Sequence, residues 1–115
     1  MANPLKGQIK VSLAGKDYNV RLTIDSLMQI ESALDKGIIK IANDMSQGDV
    51  RLRDLNAVLL PALRGGGNDL QQKDVSKIIA DTGIVGVTKV VANLLAQSLT
   101  DDSDEESGGN DKEGK

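Results

Sequence analysis

Apolar and polar residues alternate strictly in two short runs near the start of the chain. Residues 8–13 (QIKVSL) and residues 18–23 (YNVRLT) each place every second side chain, an apolar one, on the same face. A period of two indicates half-buried β-strands. Between the runs lies Gly15, which can adopt the positive φ of a tight turn. The pattern predicts a β-hairpin over residues 8–23, which needs another element to cover its apolar face.

From Thr23 onward, the spacing of the apolar residues changes to that of an α-helix. Thr23 or Asp25 can cap this first helix, and Gly37 is a candidate for its C-terminal stop. The same spacing predicts four further helices, at about 38–46, 53–63, 71–81 and 84–99.

Proline and glycine residues are expected to interrupt the second half of this helical region. Pro61 removes a backbone donor and clashes with the preceding turn, so it predicts a kink or an early end of the third helix. Residues 65–67 are all glycine and predict a flexible loop, after which Asn68 or Asp69 can cap the fourth helix.

The segment after the last helix contains no apolar side chain. Such a segment cannot offset the entropy lost on ordering, so we expect residues 101–115 to be a disordered acidic C-terminal tail. The fold class is predicted as α+β: an N-terminal β-hairpin followed by a mostly helical body of about five short helices over residues 25–99. Residues 1–100 are expected to form a single folded domain.

Most of the acidity of the chain belongs to this tail. Residues 101–115 contain seven acids and two lysines, a net charge of −5, whereas the whole chain carries −3, so residues 1–100 sum to +2. No apolar run approaches the ~20 residues that span a bilayer. The first six residues lack the apolar stretch of a signal peptide. These features predict a cytoplasmic protein with no membrane partner.

The side chains that most often carry chemistry are scarce. Histidine, cysteine, phenylalanine and tryptophan are absent, and Tyr18 is the one aromatic residue. The residues around Gly15 and Gly65 fit neither a Walker loop nor a dinucleotide-binding fingerprint. The acidic run at 102–107 lacks the glycine of a calcium-binding loop. We therefore expect no enzyme activity, no catalytic residues, no metal and no cofactor.

Basic residues are spread over the predicted third and fourth helices. They can form a strip on one surface: Arg51, Arg53, Arg64, Lys73 and Lys77. Because the chain lacks aromatic rings for base stacking and a dense arginine cluster, we interpret the strip as a solvated helix face and expect no nucleic-acid partner.

Aliphatic residues are the one surplus in this sequence. The third and fifth helices hold more of them than a small hairpin can easily cover. One interpretation is a well-filled core; the other is a surface that meets a partner helix or a second copy of the chain. The candidate partner-binding residues are Leu52, Leu55, Leu59, Val87, Val91, Leu94 and Leu95.

Several short blocks, taken in order, resemble a phage tail family. The opening MANPLKGQIKVSLAGKDYNVRLTIDSLMQIESALDKGI contains the spacing T-x-x-x-L-x-x-I-E at Thr23, Leu27, Ile30 and Glu31. The blocks GDVRLRDLNAVLLPALRGGG and DVSKIIADTGIVGVTKVVANLLAQSL extend the similarity over residues 1–99. The sequence resembles the tail-assembly chaperones of long-tailed phages and gene transfer agents, some of which are labelled tail tube proteins. Pro61 departs from the pattern of that family, in which the helix usually runs on.

This resemblance implies a function and a set of partners. Such chaperones bind the tape measure protein, a long helical chain, and keep it soluble until tail tube proteins replace them. Self-association along the tape measure protein is implied as well. The alternative is a structural subunit of the tail tube or its junctions. A tube subunit usually needs long strands that close a ring, and the sequence predicts one hairpin.

Overall fold

The computed structural model describes residues 8–100 and contains an N-terminal hairpin followed by five helices. The elements are β1 (Ile9–Leu13), β2 (Lys16–Val20), α1 (Ile24–Leu34), α2 (Ile38–Ser46), α3 (Leu52–Gly65), α4 (Gln72–Thr82) and α5 (Ile84–Thr100). The predicted α+β class and the order of its elements are confirmed. The predicted disordered tail at 101–115 lies outside the described residues.

The hairpin turn is tighter than the sequence pattern predicted. Ala14 and Gly15 both have positive φ, 54° and 77°, so the loop has two residues and Leu13 pairs directly with Lys16. The second strand therefore covers residues 16–20 instead of 18–23. It ends at Val20 because the next amide, that of Arg21, donates to the Ala62 carbonyl at 2.9 Å.

Helix α3 lies at the centre of the molecule and contacts α1, α4, α5 and β2. Its buried aliphatic side chains are Leu55, Val58, Leu59, Ala62 and Leu63. The hairpin packs β2 against α3, and β1 contacts α4 and α5. These contacts cover the apolar face of the hairpin, as the sequence required.

Of the two outcomes predicted for Pro61, a kink or an early end of α3, the early end is wrong, because the helix continues to Gly65. A proline inside a helix costs about 3 kcal/mol or more. The next two residues, Ala62 and Leu63, are fully buried in the core, and their packing offsets that cost.

The glycines at the C-terminal end of α3 mark a close approach between two parts of the backbone, not a linker. A Cβ atom on Gly66 would overlap the carbonyl oxygen of Asn19, and one on Gly65 would overlap that of Arg21. Asn68, predicted to cap α4, instead donates from Nδ2 to the carbonyls of Asn19 (2.7 Å) and Leu63 (3.0 Å). These contacts fasten the end of α3 to the hairpin.

The helix ends differ in detail from the sequence prediction. Thr23 caps α1 as predicted, since its Oγ1 accepts from the Ser26 amide at 3.0 Å. The left-handed residue that ends α1 is Asp35 (φ 54°), whereas Gly37 has φ −68° and precedes α2. Helix α4 follows Gln71, whose amide donates to the Asp74 carboxylate at 2.8 Å.

Within residues 8–100, no single helix is long and apolar enough to cross a membrane. Helices α4 and α5 together would meet that criterion by length and composition, but the chain bends by 114° between them.

Candidate partner-binding surface

Six of the seven predicted partner-binding residues lie in the core. Helix α3 contributes two of them and α5 contributes four: Leu55, Leu59, Val87, Val91, Leu94 and Leu95. In this conformation they pack against neighbouring elements and present no surface to a partner. Leu52 is the exception, with 57 % of its area exposed, and its contact with a partner stays a prediction.

Leu52 belongs to a group of exposed apolar side chains at the start of two helices. Leu52 is the first residue of α3, and Ile84 and Val85 are the first two of α5. Ile84 is 51 % exposed and Val85 is 71 % exposed. We call Leu52, Ile84 and Val85 the apolar ridge, because they connect two neighbouring grooves. Ile84 lines both grooves, Val85 lines the larger one and Leu52 lines the smaller one.

The larger groove lies between α5 and the C-terminal end of α2 and has a volume of about 740 Å³. Its lining includes Met45, Val50, Lys89, Ala92 and Ala96, together with Ile84 and Val85 of the ridge. The two alanines fall one turn apart on α5, and their short side chains leave room above that helix.

The smaller groove lies between α3 and α4 and has a volume of about 470 Å³. The residues that line it include Leu52, Arg53, Asn56 and Ile79. The Asn56 Nδ2 donates to the Ser76 Oγ at 3.0 Å, so a side-chain hydrogen bond ties α3 to α4.

Positive charge borders both grooves. Lys89 lines the α2–α5 groove and Arg53 lines the α3–α4 groove, and no carboxylate from residues 8–100 lines either one. One Arg53 nitrogen donates to the Ala33 carbonyl at 3.4 Å. Away from the grooves, hydrogen bonds from Lys36 and Lys40 lower the pKa of the Asp44 carboxyl below its ordinary value.

This arrangement is suited to contact with another protein. The two grooves beside the exposed apolar ridge can accommodate apolar side chains of a docking helix. Within residues 8–100, no three potential metal-ligating side chains converge.

Sequence reasoning named Leu52 of the ridge but missed Ile84 and Val85, because it searched for continuous helical stripes, which mark the core. Ile84 continues the stripe of Val87 and Val91 to the first residue of α5, whereas Val85 lies beside that stripe. An apolar pair directly after a glycine that breaks the chain was the available signal.

The residues that carry the resemblance to phage tail proteins all have structural roles here. Thr23 caps α1, and Leu27 and Ile30 are buried in the core. The Glu31 carboxylate accepts from the Ile38 amide at 2.8 Å, at the first residue of α2. The spacing therefore fixes the junction between α1 and α2.

The fold and this surface define a small α+β protein with an exposed apolar ridge between two grooves. A protein-family model described as "phage tail tube protein, GTA-gp10" matches residues 6–101 of the chain. The chain belongs to this family and is thus a phage tail-related protein of the gene transfer agent type. No curated protein and no solved structure matches it.

Proposed function

We propose that this protein is a tail-assembly chaperone that binds the tape measure protein and keeps it soluble during tail morphogenesis. The observation that supports the proposal most is the apolar ridge between two grooves. The protein acts without catalysis or a cofactor, in the cytoplasm of the bacterial host, and hands the tape measure protein over to tail tube proteins.

Reversibility is the physical requirement of this function. Each ~1.4 kcal/mol changes an affinity tenfold, so a small exposed ridge supports contacts weak enough for displacement. Many copies bound along one long chain hold it collectively, because binding at neighbouring sites raises the effective concentration. Self-association of the chaperone along the tape measure protein would strengthen this effect.

The second candidate is a structural subunit of the tail tube or its junctions, which the description of the matching family favours. A tube ring is generally closed by strands from adjacent subunits. Within residues 8–100, the sheet has two strands, and β1 and β2 pair with each other. This observation supports the chaperone over the tube subunit.

Co-expression tests the chaperone directly. The probe is the tape measure protein of the same phage or gene transfer agent, produced alone and together with the full chain. We expect the tape measure protein to be insoluble alone and to elute in a soluble complex when the two are co-expressed. An insoluble tape measure protein in both cases would overturn the proposal.

Quantitative mass spectrometry of purified tails tests the tube subunit. A chaperone leaves before the tail is complete, so we expect this chain at far below one copy per tube subunit. Stoichiometric presence in finished tails would favour the structural function instead.

A further inference from the structure

We infer that the apolar ridge and its grooves select a partner helix that is apolar on one side and acidic along its flanks. The inference rests on the proposed function, because it names the chemistry of the segment that is bound. It is carried by the charges of the residues that line the two grooves.

Among residues 8–100, no carboxylate lines either groove, although ten Asp and Glu residues lie in that range. Each groove is instead lined by one cation, Lys89 or Arg53. The described lining of both grooves is therefore positively charged.

The carboxylates in the first turns of α3 and α4 already have partners. Asp54 accepts from the Arg51 amide at 3.0 Å, and Asp74 accepts from the Gln71 amide at 2.8 Å. Both are held at the N-termini of their own helices, where a carboxylate is stabilised by the unpaired amides. They are thus not available to neutralise the cations of the grooves.

Within the described part of the chain, the cations around the ridge form no ion pair with a carboxylate. Among the described residues, the ion pairs join Lys36 and Lys40 to Asp44, and Lys77 to Asp81. No such pair within residues 8–100 involves the four basic residues on or beside the groove walls, Arg51, Arg53, Lys73 and Lys89. A partner that brings carboxylates gains complementary charge there, which raises the association rate and selects against basic partners.

The shape of the site favours a helix as the element that is bound. Side chains one helical turn apart lie ~5–6 Å from each other, so two successive turns can straddle Ile84. One apolar side chain then enters the α2–α5 groove and the next enters the α3–α4 groove. Acidic residues on the flanks of that helix reach Lys89 on one side and Arg53 on the other.

Fluorescence anisotropy with two designed peptides tests the inference. Both are labelled amphipathic 21-residue helices with leucines on one face, and their flanks carry either glutamates or lysines. We expect the full chain to bind the glutamate peptide at least about tenfold more tightly, with an affinity that falls as salt is raised. Equal affinity for the two peptides would overturn the inference.

Matched charge reversals locate the site. The double variant Arg53→Glu/Lys89→Glu should weaken binding of the glutamate peptide at least about tenfold. The control Lys10→Glu/Lys16→Glu makes the same change in charge at two exposed hairpin residues and should bind like the unaltered chain. Equal losses in the two double variants would contradict the location.

Two further measurements separate the competing explanations. If Ile84→Asp converts a dimer of the chain into monomers in sedimentation velocity, a second copy occupies the ridge and the inference is wrong. If the tape measure protein is solubilised equally well by the Arg53→Glu/Lys89→Glu variant, the proposed function stands and the inference falls. If the unaltered chain binds the glutamate peptide selectively but leaves the tape measure protein insoluble, the inference stands and the proposed function falls.

Discussion

Single residues hold the parts of this fold together in ways that their types alone do not reveal. Gly66 has an ordinary negative φ of −87°, yet it must be glycine because the Asn19 carbonyl lies where a Cβ would be. Glu31 looks like a surface charge on a helix, but its carboxylate accepts a hydrogen bond at the start of the next helix. Both roles depend on which segments meet in space.

The close approach at Gly66 can be tested with one methyl group. Gly66→Ala should lower the free energy of unfolding by about 1–3 kcal/mol, because backbone at both sides of the contact must shift. The control Gly86→Ala lies within α5, where a Cβ meets the Thr82 methyl group at an ordinary 3.5 Å. It should stabilise the protein by about 0.5–1 kcal/mol. Urea unfolding measures both, and a neutral Gly66→Ala would refute the contact.

Asp44 gives the protein a pH-dependent contribution to stability. Its hydrogen bonds to Lys36 (3.2 Å) and Lys40 (3.4 Å) lower the pKa of its carboxyl in the folded state. A lowered pKa stabilises the fold above the ordinary value of about 3.9, and this contribution is lost as pH falls through the folded value. Asp44→Asn should therefore cost stability at pH 7, and this deficit should shrink as pH is lowered below about 4. A deficit that stays constant as pH is lowered in thermal unfolding would contradict this account.

At the scale of elements, the spacing of apolar residues predicted which elements form better than it predicted where each one begins and ends. All five helices and the hairpin were predicted because their apolar stripes face one core, which α3 organises. The errors fell where tertiary contacts decide the outcome. Strand β2 ends early because Arg21 bonds to α3, and α3 passes Pro61 because the residues beyond it are buried.

The surface was predicted less well than the fold. A stripe of leucines and valines looks the same in sequence whether it meets its own chain or another one. The stripes of α3 and α5 meet their own chain, so six of the candidate residues are buried. Leu52 is exposed because it precedes the first full turn of α3.

Pro61 offers a test of the third helix. Pro61→Ala restores the backbone donor and removes the clash with the preceding turn, while the unfolded chain gains some freedom. We expect a net increase of about 1–2 kcal/mol in the free energy of unfolding, measured by urea denaturation. A loss of stability would mean that the ring itself contributes packing that alanine cannot replace.

At the scale of the whole molecule, a nearly neutral body is joined to a strongly acidic segment. Residues 1–100 carry a net +2 and residues 101–115 carry −5. Net charge far from zero keeps proteins soluble and has little influence on the fold. The body holds the core, the apolar ridge and both grooves.

Deletion of residues 101–115 tests this division. The shortened chain should keep a cooperative thermal transition close to that of the full chain, because the buried core lies within residues 13–95. Its solubility limit in a precipitation assay should fall, because the deletion removes seven of the 17 acidic side chains, changes the net charge from −3 to +2 and leaves the ridge exposed. Loss of the cooperative transition would show that the segment contributes to the fold.

The central claim is that the apolar ridge holds the tape measure protein in solution. The most direct measurement is the soluble fraction of the tape measure protein co-expressed with Ile84→Asp, compared with Ile39→Asp. Ile39 is a matched control, because it is 69 % exposed on α2 and lies outside both grooves. We predict that Ile84→Asp leaves the tape measure protein insoluble and that Ile39→Asp keeps it soluble. Equal solubility with the two variants would contradict the claim.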